Sequence, residues 1–296
     1  MEWLQGLFSG PVSVKVFSIF STFGEEMVCI ALLGLFYWGL NKEIGKFMGL
    51  NLAVSVVLNP MIKNVVLRFR PYFTHPTIKA LKPVEPSKDL YDVAAQGYSF
   101  PSGHSENSVV AFGSAALKTE KKWLRIILFI VPVLVGISRF VLGVHYPTDV
   151  LCGWAVGIVI LAVVPFLHRK IKNKYVFLGI LLASGIPGFF YCTSDDFYTG
   201  YGILLGACVS IIFEEKFVKF ENTPNVFMAI LRTAVGGGIF MLLNIVFKLP
   251  FSKEFLSSGT TAAYLVRTFR YAINLFIICG LYPMVFKPMD RLWRKK

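Results

Sequence analysis

Residues 98–105 read "YSFPSGHS", Tyr98 to Ser105, and lead into the apolar run "VVAFGSAAL" that starts at Val109. Two readings fit these letters. In the first, Pro-Ser-Gly punctuation simply opens a buried helix, with Pro101 in its first turn and Ser102 as its cap. In the second, the same helix start is a cradle for an anion. Free backbone N–H groups at a helix N-terminus attract negative charge. Gly103 lets a ligand approach the backbone closely, and His104 at the mouth can donate or accept a proton. The rest of the chain has to decide between them.

The chain has 296 residues, of which 55% are hydrophobic and only 16% charged. Its mean hydropathy is +0.63. Soluble domains carry about 25% charged residues, and here the apolar residues come in long blocks rather than at amphipathic spacing. The expectation is an all-α fold, a polytopic membrane helical bundle, forming a single integral membrane domain over 1–296. About nine transmembrane helices are expected, at roughly 25–40, 44–67, 103–118, 122–142, 149–168, 174–192, 198–214, 225–248 and 262–286. The segment before the first, "VSVKVFSIFSTF", either extends that span or lies along the interface.

The net charge of +13 could suggest nucleic acid, but the basic residues sit at the ends of apolar runs. They read as topology signals, and no nucleic-acid partner is expected. The start "MEWLQGLFSGP" carries an acidic residue and no small-residue cleavage site, so no cleavable signal peptide is expected. Cys29, Cys152, Cys192, Cys208 and Cys279 form no Cys-x-x-Cys pair. Neither a zinc site nor a disulfide framework is indicated. The spacing says nothing about oligomeric state.

Most connections are short. The exception is 72–97, with Pro76, Pro83, Pro86, Lys79, Lys82 and Lys88. A structureless loop of that length is functional or disordered. With nine spans, the connections holding Lys118–Arg125, Arg169–Lys174 and the C-terminal Lys287–Lys296 share one face, which is the richer in Lys and Arg. That face is expected to be cytoplasmic, with the C-terminus on it, and the 72–97 loop then points away from the cytoplasm.

Ionisable residues beside or within spans are costly and therefore functional candidates. In "KNVVLRFRP", Lys63 and Arg70 are seven apart, which on a continuous helix is one face, with Pro71 ending the helix. Two fixed cations suit an anion with several oxygens; the alternative is snorkelling at a span end. "PSGH" supplies the helix start discussed above. In "SRFVLGVHYPTD", Arg139 ends a span and His145 stands four residues before Asp149. A carboxylate one turn from an imidazole can fix its tautomer and stabilise its cation; the alternative is a structural pair in an interfacial loop. By the span arithmetic all three motifs share one face. Their inventory suits a phosphoryl group better than an acyl group. The two histidines have too few carboxylate neighbours for a di-metal site, and no G-x-S-x-G elbow is present.

The ordered set Lys63-x6-Arg70-Pro71, Pro101-Ser102-Gly103-His104 and Ser138-Arg139-x5-His145-x3-Asp149 resembles the three-part signature of the type 2 phosphatidic acid phosphatase superfamily. That superfamily includes lipid phosphate phosphatases, glucose-6-phosphatase and the soluble vanadium haloperoxidases. The resemblance covers roughly 25–170. It implies a haloperoxidase-like helical catalytic core there, with 174–296 as additional C-terminal transmembrane helices. It further implies a metal-independent phosphatase without cofactor, acting on a membrane lipid phosphate of phosphatidate, sphingoid-base phosphate or isoprenoid pyrophosphate type. Sugar-phosphate hydrolysis, phosphotransfer and a non-enzymatic transporter or scaffold are the alternatives. By residue, His145 is implied as the nucleophile that becomes a phosphohistidine, Asp149 as its orienter, and His104 as acid then base. Lys63, Arg70, Arg139, Ser102 and Gly103 are implied as the phosphate holders. Two spans precede the first motif where the familiar six-span enzymes have three, a layout closer to the glucose-6-phosphatase and sphingosine-phosphate phosphatase branches.

The C-terminal half carries none of these motifs. Gly153 and Gly157, and again Gly202 and Gly206, are four apart, a spacing that marks close helix packing. Gly236-Gly237-Gly238 permits a kink or a close contact. Arg232, Arg267 and Arg270 fall within spans and read as salt-bridged or snorkelling, or else as lining a second polar cavity.

Overall fold

In hydrocarbon the backbone has to satisfy its own hydrogen bonds, so long apolar runs become helices. The computed structural model, which describes residues 1–288, is helical in every described element. In chain order the α-helices are α1 (Glu2–Phe8), α2 (Pro11–Thr22), α3 (Glu26–Gly34, continued by a π-helical turn over Leu35–Leu40), α4 (Lys42–Val66), α5 (Pro71–Thr74), α6 (Val93–Gln96), α7 (Gly103–Lys118), α8 (Lys122–Val141), α9 (Pro147–Lys170), α10 (Lys174–Gly185), α11 (Asp195–Phe213), α12 (Val226–Val246), α13 (Lys253–Leu256) and α14 (Thr261–Phe276), with short 3-10 or π-helical turns after α10, α11 and α14.

Six stretches among the described residues are long and apolar enough to cross a membrane: Lys42–Thr74, Lys122–Val141, Pro147–Lys170, Asp195–Val218, Val226–Val246 and Thr261–Pro288. The pair Pro11–Thr22 and Glu26–Leu40, bent by 46°, makes a seventh if it is one span, and Lys174–Phe190 is apolar but shorter. All nine expected segments are helical, but length and composition support six or seven crossings rather than nine. The helix on 103–118 shows why. It has 16 residues and buries Ser105, Glu106, Asn107 and Ser108 against protein, so its polar side chains are covered by neighbouring helices, not by lipid. By contrast α8 turns Trp123, Ile126, Phe129 and Ile130 outward, as a lipid-facing surface does. The basic residues Arg291–Lys296 used in the topology argument lie outside the described residues.

The chain divides into two compact units, Met1–Cys29 with Leu58–Val163, and Ile30–Val57 with Val164–Lys296. In the first, α7 packs along α8, and α1 and α2 lie against α8 as well. The Gly153/Gly157 pair behaves as its spacing suggests. A Cβ at Gly153 would stand 2.6 Å from the Ser102 carbonyl oxygen, and one at Gly157 2.9 Å from Val109. These two positions let α9 approach the start of α7.

In the second unit, α11 packs along α14 and α12 against both α14 and the π-helical turn after α3. A Cβ at Gly202 would come within 2.4 Å of the Thr268 carbonyl, and one at Gly206 within 2.6 Å of that of Ala272. Of the triple glycine only Gly236 is in contact, facing Trp38, while Gly237 and Gly238 have open space and α12 runs through uninterrupted. Charged groups gather at both ends of α11. Asp195 begins it and Glu214 follows it, about 28 Å apart at 1.5 Å per residue. That matches a hydrocarbon core about 30 Å thick.

Candidate active site

The first motif does not stay on one helix. α4 ends at Val66 with Lys63 in its last turn, and Leu67 follows with φ +50. Arg70 is extended, at φ −70 and ψ 154. Pro71 explains this, since a residue before proline is pushed out of the helical region. The one-helix-face expectation for Lys63 and Arg70 is thereby corrected: the helix ends at Val66, between the two cations, so they do not share a helical face.

Arg70 is 3% exposed and is aimed by backbone oxygens. Its Nε donates to the carbonyls of Gln96 at 2.9 Å and Gly97 at 3.0 Å, and its Nη1 to that of Val144 at 3.0 Å. The long loop is therefore not structureless. Gln96, 1% exposed, organises it: its side-chain oxygen accepts from the N–H groups of Val84 and Glu85, and its amide donates to the carbonyls of Glu85 and Asp89. Loop order and Arg70 orientation are thus one structure.

At the second motif, Ser102 is the cap of α7 and is fully buried. Its Oγ accepts from the Ser105 N–H at 3.4 Å and from Ser105 Oγ at 2.9 Å. Pro101 precedes the cap, so it does not occupy the first helical turn as expected; Gly103 does. The Ser102 N–H donates to the Asp149 carbonyl at 3.0 Å, which ties the second motif to the third. His104 is half-buried in the first turn. A Cβ on Gly24 would meet the His104 carbonyl at 2.8 Å, so the N-terminal segment lies directly on this histidine.

At the third motif, Arg139 is buried in the last turn of α8 and its Nη1 donates to Ser21 Oγ, while its Nε has no hydrogen-bond partner among the described residues. His145, 2% exposed, stands between α8 and α9. Its Nε2 lies 3.4 Å from Arg70 Nη1. Its Nδ1 lies 3.5 Å from Asp149 Oδ2, within ion-pair range but with no hydrogen bond formed. Apo catalytic contacts are commonly long in this way. Burial, followed by the charges of Arg70, Arg139, Lys63 and His104, holds the His145 imidazole well below its ordinary pKa of 6.5. The three motifs therefore converge on one neutral imidazole whose Nε2 faces Arg70 and whose Nδ1 faces Asp149.

Three side chains at this site escaped the sequence reading. Arg68 holds Asp149: its Nη1 donates to Oδ1 at 2.9 Å and to Thr148 Oγ1 at 2.7 Å, with its guanidinium 3.9 Å over the Tyr146 ring. The Tyr146 N–H donates to the other carboxylate oxygen at 2.8 Å. Ser21 reaches Arg139 across more than a hundred residues of sequence. Glu106, with no exposed surface, accepts from Asn59 Nδ2 at 2.7 Å and links α7 to α4 beside Gly103. Arg68 had a visible signal, a cation two residues before Arg70 in an extended stretch, where alternate side chains share a side.

A polytopic helical membrane protein with three phosphate-suited motifs around a neutral histidine belongs to a definite class, and the comparisons agree. The PAP2 superfamily profile matches residues 45–172, and its transmembrane-extension profile (PAP2 superfamily phosphatase, transmembrane extension) matches 198–293. The chain is 31% identical over 180 residues to phosphatidylglycerophosphatase B of Bacillus subtilis, covering 58% of this chain and 78% of that one. It is 33% identical over 140 residues to an undecaprenyl-diphosphatase of Sulfolobus acidocaldarius, covering 46% of this chain and 62% of that protein's length. It is also 33% identical over 147 residues to decaprenylphosphoryl-5-phosphoribose phosphatase of Mycobacterium tuberculosis, covering 49% and 74%. No solved structure matches the chain. The chain belongs to the PAP2 superfamily of phosphatases.

Proposed function

We propose that this protein hydrolyses the phosphate ester of a membrane lipid through a phosphohistidine on His145, with 25–170 as the catalytic core. The observation that carries the reading is the convergence of Lys63, Arg70 and Arg139 on His145, whose neighbouring carboxylate is already held by Arg68. A site built with more cations than carboxylates is completed by an anionic substrate. Relatives named for glycerolipid and polyprenyl phosphates support a lipid ester over a soluble sugar phosphate.

The steps follow from the atoms. His145 Nε2 attacks phosphorus while the P–O bond to the lipid breaks. Burial and the cations of Arg139, Arg70 and Lys63 hold the His104 pKa well below its ordinary value; the bound phosphate offsets those charges, His104 takes up a proton, and it delivers that proton to the leaving oxygen. Asp149 stabilises the imidazolium through Nδ1–H. His104 then takes a proton from water, the water oxygen attacks phosphorus, the P–N bond breaks, and phosphate leaves with His145 neutral again. Lys63, Arg70, Arg139, the Ser102 hydroxyl and the Gly103 N–H hold the phosphoryl oxygens, since phosphoryl transfer needs chiefly positioning and charge stabilisation. On the topology expected from the basic residues, this site faces away from the cytoplasm and the C-terminus faces into it.

A panel of phosphatidate, sphingoid-base phosphate, isoprenoid pyrophosphate and hexose phosphate tests this, with His145→Ala as the control. Release of phosphate from a lipid member supports the reading, and activity confined to hexose phosphate overturns it.

A further inference from the structure

Of the arginines within apolar spans of the second unit, two are accounted for. Arg232, fully buried, donates through Nη1 to the carbonyls of Trp38 at 2.9 Å and Glu221 at 3.2 Å, and lies 4.2 Å over the Phe286 ring. Arg267 pairs with Asp195 at 2.6 Å. Arg270 differs. It is 8% exposed and its Nη2 reaches only Asn244, at 3.3 Å to Oδ1 and 3.5 Å to the carbonyl. Among the described residues its Nε has no hydrogen-bond partner and it forms no ion pair.

The surroundings repeat the pattern. Asn274, one turn further along α14 and 1% exposed, donates to the Phe240 carbonyl at 3.1 Å, while its Oδ1 has no hydrogen-bond partner among the described residues. Lys248, one turn beyond Asn244 and largely exposed, also forms no ion pair among the described residues, and partial burial together with Arg270 and Arg267 lowers its pKa. Arg270 lies about 14 Å along α14 from Thr261, at a depth where a guanidinium without a counter-charge is costly. The contact to a neutral amide does not neutralise it. α14 also presents exposed Leu265, Phe269 and Ile273, a surface suited to a hydrocarbon tail.

We propose that Arg270 and Lys248, with Asn244 and Asn274, form a second anion site that takes the phosphate headgroup of a membrane lipid. A guanidinium fork and an ammonium meet the phosphate oxygens, and the Asn274 Oδ1 accepts from a headgroup hydroxyl. The site uses none of the residues around His145, and it lies in the segment matched by the transmembrane extension.

The test is the association of spin-labelled phosphatidylglycerol, against spin-labelled phosphatidylcholine, with the full chain in phosphatidylcholine vesicles. Wild type is expected to prefer phosphatidylglycerol. Arg270→Gln should lower that preference by about tenfold, the worth of a charge-assisted hydrogen bond, and Lys248→Ala by about fivefold. The preference should persist in an Arg139→Ala background; if it vanishes there, the signal belongs to the His145 site and the proposal fails. Displacement of the labelled lipid by inorganic phosphate shows that the free oxyanion is also accepted, and absence of displacement shows that the lipid is the ligand. If Arg270→Gln fails to fold, exposed Lys248→Ala carries the test. Preference equal to wild type in Lys248→Ala, or in a folded Arg270→Gln, overturns the proposal.

Discussion

Both units bury charge, and they do so in opposite ways. In the second unit Glu214, with no exposed side-chain surface, is clamped by Lys42 at 3.0 Å and Lys46 at 3.1 Å, while Glu215 takes Lys46 at 2.9 Å and Lys174 at 2.5 Å. Both carboxylates, the buried Glu214 and the partly exposed Glu215, meet their cations within the fold. Around His145 the balance is left open. Lys63, Arg70 and Arg139 bear on one imidazole, and Asp149 answers to Arg68. A closed network fastens helix ends, whereas an open one awaits a ligand. Removing a residue from the first should cost stability, and from the second should cost rate.

The largest break falls at His145, the proposed nucleophile. His145→Ala should lower phosphate release by at least about a thousandfold with little change in the thermal midpoint, read by a phosphate assay beside a melting curve. Arg139→Ala should come next. Loss of one donor to developing charge lowers kcat by about 100- to 1,000-fold, measured as kcat on a lipid substrate. A loss seen only in KM would assign Arg139 to ground-state binding instead.

The contrast sharpens at Glu214→Gln. Leaving Lys42 and Lys46 without their buried partner should cost about 3 kcal/mol of stability, read by chemical denaturation in detergent. The kcat/KM per folded molecule should stay at the wild-type value. A fall in kcat/KM without loss of stability would erase the distinction between the two networks. Arg68→Ala should give the smallest effect of the set, about tenfold in kcat, because it acts on the reaction only through Asp149. Arg68→Lys should restore part of that loss.

The pH dependence follows from the same geometry. The His145 pKa is held well below 6.5 by burial and by the surrounding cations, so the proposed nucleophile is neutral at neutral pH. Its protonation should appear in kcat/KM as an acid limb below pH 6.5. For stability the sign is that of a depressed base. The unfolded histidine gains its proton as pH falls through about 6.5 while the folded one stays neutral, so this group's contribution is full above 6.5 and shrinks below it.

Much of the site was legible because its chemistry is written in short spacings. Ser102 caps α7, and His145 comes within 3.5 Å of Asp149, though from the bend before α9 rather than from one helical turn away. Gly202 and Gly206 seat α11 on α14 because a small-residue pair admits only a close neighbour. What stayed hidden needed tertiary structure. Ser21 and Glu106 reach the site through packing that no local pattern encodes. The break at Leu67 was hidden because an apolar run read as helix carries no mark of a positive φ. The burial of α7 by protein was masked by its apolar letters, which serve a helix core and a lipid surface equally well.

The most direct test is a single-turnover experiment with a lipid phosphate labelled at phosphorus, quenched in alkali. The account predicts label on the protein that is alkali-stable and acid-labile, as expected for a phosphohistidine, and its loss in His145→Ala. Release of labelled phosphate at wild-type rate by His145→Ala, or label retained on that variant, would contradict it.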